Sequence, residues 1–138
     1  MIKRRKTGIV KIGSVIMGNS HPIVIQSMTN TQTADITATA CQIKELVKAG
    51  AELVRVTIND QSAMKAIPDI INHLKSEGIN VPIIGDFHYN GHTLLSQFPD
   101  SALALSKYRI NPGNLGKGSK KDEHFSTMIK IAIKFDKP

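Results

Sequence analysis

The chain has 138 residues, 41% of them hydrophobic, and a formal net charge of +7. That is enough apolar material for one domain with its own core. No apolar run approaches the roughly 18 residues of a membrane span, and the single cysteine, Cys41, excludes an internal disulfide and a thiolate metal cage.

The positive balance favours anionic partners: nucleic acid, an anionic membrane or a phosphorylated small molecule. The basic residues form an amino-terminal cluster (Lys3, Arg4, Arg5, Lys6) and a carboxyl-terminal set (Lys117, Lys120, Lys121, Lys130, Lys134, Lys137). Aromatic residues do not alternate with them, so little is available on which bases would stack. Thr7 to Gly18 alternates with glycine and lysine rather than forming an apolar signal segment, and a cytoplasmic protein is expected.

In chain order, Ile9–Ile12 and Val15–Met17 flank Gly13-Ser14 and predict a hairpin that covers an apolar end of the strand-and-helix units after it. Residues 1–21 are therefore read as a basic segment plus hairpin. Pro22–Gln26 predicts the first buried strand, and Ser27–Thr33 a polar loop. Asp35 is placed as the cap of a helix with Ile36, Ala40, Ile43 and Val47 on one face, stopped at Gly50. Cys41, beside Ala40, is expected in the core or a groove rather than as a nucleophile.

Leu53–Val56 predicts the second strand, and Ala63, Ile67, Ile71 and Leu74 the next helical face. Pro68 within that face predicts a kink or a restart. Val81–Gly85 predicts the third strand. Short helices over His92–Gln97 and Ser101–Leu105 are broken at Pro99. The fourth strand is Tyr108–Ile110, and a last helix carries Phe125, Ile129 and Ala132, with Asp122 as its cap.

Strand-then-helix units of this kind form parallel sheets. Two architectures fit: a small open α/β sheet, or the first half (residues 22–138) of an eightfold (β/α)8 TIM-type barrel, which takes about 250 residues when whole. No early G-x-G-x-x-G turn marks a dinucleotide fold, so an incomplete barrel of four units is the preferred reading.

Three strands end in polar residues. Arg55 is followed by Thr57 and Asn59, Asp86 by His88, and Arg109 by Asn111. The carboxyl edge of a parallel sheet is where such folds bind ligands. Guanidinium forks match phosphate oxygens, which makes Arg55 and Arg109 the anion candidates, with a structural ion pair to Asp86 as the alternative. Asp86 can accept a hydroxyl or orient an arginine, and His88 can donate to phosphate or move a proton. Gln26 and Thr29 can bond a hydroxylated ligand or satisfy their own loop. His73 is expected to be solvated. The Asn111–Ser119 loop can present backbone N–H groups to an anion, but it is not a Walker A loop. No metal site is expected.

The run Gln26-Ser-Met-Thr-Asn-Thr31, with Thr33 and Asp35, is followed in order by Val54-Arg55-Val56, Asp86-Phe-His88 and Arg109-Ile-Asn-Pro-Gly-Asn114. From about Arg5 to the last residue, the chain resembles the 4-hydroxy-3-methylbut-2-enyl diphosphate synthases of the non-mevalonate isoprenoid pathway. The resemblance implies an amino-terminal eightfold barrel and a separate carboxyl-terminal domain holding a 4Fe-4S cluster. It implies reductive conversion of 2-C-methyl-D-erythritol 2,4-cyclodiphosphate to 4-hydroxy-3-methylbut-2-enyl diphosphate, with two electrons from flavodoxin or ferredoxin, in a homodimer.

Carried over, Arg55, Arg109 and Asn111 belong to the diphosphate cradle. Asp86 and His88 lie near the hydroxylated carbons, and Gln26 and Thr29 on the rim. The cluster-binding cysteines of the family have no counterpart, since Cys41 matches none of them, so this chain alone is expected to hold no cluster and to be inactive as a reductase. A missing half supplied as a separate chain is an expected partner. The alternatives are another phosphate-binding barrel fragment, for pterin or sugar phosphates, and a basic nucleic-acid-associated protein.

Overall fold

The computed structural model describes residues 5–116 and 118–138. Lys3 and Arg4 of the basic cluster and Lys117 of the glycine-rich loop lie outside the described residues. The expected hairpin is present: β1 (Val10–Ile12) and β2 (Val15–Met17) pair antiparallel, with Ile12 opposite Val15. Gly13 turns it with a φ of +57°, a left-handed conformation that glycine adopts at low cost.

Four parallel strands come next in the order β3 (Gln26–Met28), β4 (Leu53–Ile58), β5 (Ile83–Phe87) and β6 (Lys107–Ile110). Helix α1 (Ile36–Lys48) follows β3, and α2 (Gln61–Ser76) follows β4. Helices α3 (Gly91–Gln97) and α4 (Pro99–Ala104) lie between β5 and β6, and a 3-10 turn (Pro112–Asn114) leads from β6 to α5 (Ser119–Lys134). Each strand sits beside its sequence neighbour, and β3 and β6 are the edges. This is an incomplete (β/α)8 barrel of four units preceded by a hairpin.

Side-chain alternation explains why the two faces of the sheet differ. Val54, Val56, Ile58, Ile83, Phe87 and Tyr108 face the helices and join the main core with Ile43, Ile67 and Leu94. The other face, which would line the barrel, carries Leu53, Arg55 and Thr57 on β4, Ile84 and Asp86 on β5, and Lys107 and Arg109 on β6. At its amino-terminal end this inner face is apolar. Ile12 of the hairpin, fully buried, packs there against Leu53 and Ile84. The hairpin is thus the floor of the barrel, and the polar residues are left for the opposite end.

The helix cap read from sequence is found at α1, and α2 has one of the same kind. Asp35 accepts from the Ala38 N–H at 3.0 Å, and Asp60 from the Ala63 N–H at 2.8 Å. Several expectations need correction. The first strand begins at Gln26, not Pro22, and Ile23 and Ile25 are 90% and 58% exposed. Its partner β4 starts only at Leu53, so the ladder has nothing to pair with the residues before Ile25, whose carbonyl takes the Glu52 and Leu53 N–H groups. The third strand runs Ile83–Phe87 rather than Val81–Gly85, in register with β4.

α2 passes Pro68 as a single helix, so no restart occurs there. In α5 the buried residues are Met128 and Ala132, while Phe125 and Ile129 are exposed. Asp122 lies in its first turn, and Gly118 occupies the cap position. Cys41 is exposed: one residue past the buried Ala40, the helix has already turned its face to solvent.

Candidate functional site

Register brings the polar strand ends together. Thr57 pairs with Asp86, and Asp86 with Arg109, in one layer; Met28, Arg55, Ile84 and Lys107 form the layer beneath. Because neighbouring parallel strands are in step, the inward side chains of one layer point at a common space. At its centre is the Asp86 carboxylate, whose side chain is 5% exposed. Arg109 Nη1 donates to Asp86 Oδ1 at 2.9 Å, and Arg55 Nε lies 3.5 Å from Asp86 Oδ2. His88 Nε2 stands 3.8 Å from Asp86 Oδ1.

Two guanidiniums thus share one carboxylate, which leaves one positive charge in excess. Lys107 adds another on the same face, one layer down. A buried carboxylate flanked by arginines aims their forks and limits their rotation. Arg55 and Arg109 keep about a third of their surface exposed, with donors free for a ligand.

The loops around this cluster are tied down. Thr29 N–H donates to the Arg55 carbonyl at 3.0 Å. Thr33 Oγ1 donates to the Thr57 carbonyl at 2.7 Å, fixing the β3–α1 loop to the end of β4. Asn90 Nδ2 donates to the Asn59 carbonyl at 2.8 Å, joining the next two loops. Thr57, Asn59, His88, Tyr89 and Asn90 line a cavity of about 420 Å³. On the other side of Thr57, a cavity of about 410 Å³ is bordered by Thr29, Asn30, Thr33 and Asp60. A further cavity of about 260 Å³, between the hairpin turn and the end of α2, lies at the opposite end of the sheet and contains none of these groups.

Of the residues singled out from sequence, Arg55, Asp86, His88 and Arg109 form one constellation. Asn111 lies two positions beyond Arg109, and its Oδ1 accepts the Gly113 N–H at 3.1 Å, leaving its amide NH₂ for other partners. Thr29 is buried, and its hydroxyl has no partner among the described residues. Gln26 is exposed and pairs with Leu53, a full layer below Arg55, toward the floor rather than the mouth. His73, expected to be solvated, places Nε2 3.2 Å from Glu77 Oε1 while staying largely exposed.

Sequence reasoning misses two neighbours of the cluster. Met28 Sδ lies 3.2 Å from Arg55 Nη2 and 3.4 Å from Nε, and so packs the guanidinium. Lys107 shares the inward face. Both emerge from period-two alternation once strand limits are correct: Met28 is two residues after Gln26, and Lys107 two before Arg109.

The family profile described as the GcpE TIM-barrel domain matches residues 7–138. The chain belongs to that family. The GcpE domain is the barrel of the non-mevalonate isoprenoid synthases, which accounts for the parallel sheet. No helix among the described residues is long and apolar enough to cross a membrane.

Synthases of this family imply a 4Fe-4S cluster, and the donors present here do not fit one. Cys41 is the single cysteine, it is exposed, and no group of three or more His, Cys, Asp or Glu among the described residues is placed to hold a metal ion. Cluster irons are held chiefly by cysteine thiolates, so no chemical step of this GcpE barrel is assigned to such a group.

Proposed function

We propose that this chain provides the substrate-binding side of the barrel for conversion of 2-C-methyl-D-erythritol 2,4-cyclodiphosphate to 4-hydroxy-3-methylbut-2-enyl diphosphate, and that alone it binds without reducing. The observation that carries this reading is the shared carboxylate. Arg55 and Arg109 converge on Asp86 from two strands, with positive charge in excess at the carboxyl edge of the sheet. A diphosphate offers oxygens for both forks.

In this reading Arg55 and Arg109 take the phosphate oxygens, with the Asn111 amide as a further donor. Both oxygens of Asp86 face guanidiniums, so Asp86 aims the arginines. His88, at the cavity wall beside Thr57, is the group free to hold or move a proton near the hydroxylated carbons. Thr29 offers its unpartnered hydroxyl to the neighbouring cavity, and Gln26 supports the strand from below. The two electrons of the reaction would come from flavodoxin or ferredoxin through a cluster borne on another polypeptide segment. A complementary barrel half and a second subunit are the partners this implies.

Isothermal calorimetry tests the reading. The cyclodiphosphate should bind the wild-type chain and outcompete sugar phosphates, and Arg109→Ala should weaken it about tenfold or more. A His73→Ala control, far from the sheet mouth, should bind as wild type. Equal affinity in wild type and Arg109→Ala would defeat the assignment, and a stoichiometric 4Fe-4S spectrum after anaerobic reconstitution of this chain alone would defeat the claim that it cannot reduce.

A further inference from the structure

The His92 ring of α3 and the His124 ring of α5 lie face to face, with centroids 3.5 Å apart and planes 10° from parallel. His124 Nδ1 is 2.7 Å from the Leu115 carbonyl oxygen. A carbonyl only accepts, so Nδ1 carries the proton and Nε2 is the nitrogen free to take a second one. Leu115 is buried and directly follows the 3-10 turn that begins after Asn111. Gly116, with a φ of +120°, then bends the chain past the same imidazole. The stack therefore links α3, α5 and the turn that leaves the strand-end cluster.

His92 Nδ1 is buried and has no hydrogen-bond partner among the described residues. In the neutral ring it can remain a bare lone pair. Protonated, it becomes an N–H with no acceptor, pressed against a second imidazole, and a buried unpaired donor is costly. We infer that His92 and His124 form a proton-operated latch, which holds the Pro112–Gly116 turn against α5 when neutral and releases it on acidification.

The groups acting on His92 are few. Burial is the main cause holding it below the usual imidazole range, and the facing His124 adds to the effect, while Glu123 of α5 opposes it. α3 carries no other ionisable side chain, α4 carries only Asp100, and the β5–α3 connection contributes His88 and Tyr89. Lys120, Lys121 and Asp122 occupy the first turns of α5. Linkage sets the sign. The unfolded chain takes up the proton near the ordinary value of about 6.5 and the stacked form only at lower pH, so stacking keeps its full stability above about 6.5 and loses it as pH falls below.

The test is two-dimensional NMR of the labelled full chain, without ligand, from about pH 7.5 to about pH 5. The Leu115 and Gly116 amide signals should shift or broaden with a midpoint below 6.5, together with the ring protons of His92. His92→Phe keeps a flat ring that cannot be charged, and there the two amide signals should stay at their neutral-pH positions throughout. His124→Gln, the second variant, removes the ring that couples His92 to the Leu115 carbonyl, and the two amide signals should no longer follow the titration of His92. Invariant Leu115 and Gly116 signals in the wild type, or a His92→Phe chain that titrates as the wild type does, would overturn the inference. Anion binding at the strand ends is read separately, by calorimetry, so either result can fail alone.

Discussion

Asp86 and Arg109 occupy paired positions on adjacent parallel strands and meet through a 2.9 Å hydrogen bond, while Arg55 approaches the other oxygen of the same carboxylate. Removing one member of a buried ion pair typically costs about 3–5 kcal/mol. Here the two guanidiniums keep partial solvent access, which lowers the expectation for Asp86→Asn to about 2 kcal/mol. Urea unfolding measures it. The same change frees both forks for a ligand, so pyrophosphate should stabilise the variant more than the wild type. A variant that unfolds at the wild-type midpoint would mean that water already satisfies the arginines.

Gly85, in the centre of β5, has no room for a side chain. A Cβ there would lie 2.8 Å from Leu105 Cδ1 and from Phe87 Cε2, and 3.0 Å from Ile58 Cδ1. Gly85→Ala should therefore cost about 1–3 kcal/mol through overpacking. The measurement is a lowered thermal midpoint with an unchanged far-ultraviolet spectrum.

The phenol of Tyr108 donates to the Ala102 carbonyl at 2.6 Å within the core, and burial pushes its ionisation upward. Tyr108→Phe keeps the edge-to-face contact with Phe87 but leaves that carbonyl unpaired. A loss of about 1–2 kcal/mol is expected in urea unfolding. A neutral result would show that the carbonyl finds water.

The Lys44 ammonium pairs with Glu77 across α1 and α2, and its hydrogen bond holds the Glu77 carboxyl below the ordinary value of 4.5. A depressed carboxylate lends stability above the unfolded value and loses it as pH falls through the folded one. Glu77→Gln should therefore lower stability slightly on the neutral side and bring the two profiles together below about pH 4.5, which flattens the acid limb. Unfolding midpoints across that range decide it, and parallel acid limbs in the two proteins would rule the pair out as a contributor.

Much of this arrangement is legible in the sequence because its signals are local. Asp35 and Gly50 bracket α1, Gly13-Ser14 turns the hairpin, and Arg55, Asp86 and Arg109 each stand near the end of an apolar run. What escapes depends on neighbours distant in sequence. Pro22–Gln26 reads as a buried strand, yet its residues before Ile25 have no paired strand beside them, so Ile23 faces solvent. Phe125 and Ile129 keep a helical spacing, but α5 turns Met128 and Ala132 inward, toward α3 and the sheet. Lys107 and Met28 escape because they fall just outside the predicted strands, Lys107 one residue before Tyr108 and Met28 two after Gln26, which hides that they share the inner face. The His92–His124 stack joins residues on separate helices, and no local pattern announces it.

The floor contact between Ile12, Leu53 and Ile84 also bears on the order of assembly. The hairpin leaves the ribosome before the strands it will seal, so Ile12 must wait for β5 to be synthesised. Contacts that close long loops form late, and until then the nascent chain shows chaperones an uncovered apolar tip. Slowing translation between β4 and β5 should lengthen that interval, and a polar residue in place of Ile12 should shorten chaperone residence while leaving the finished sheet without its plug.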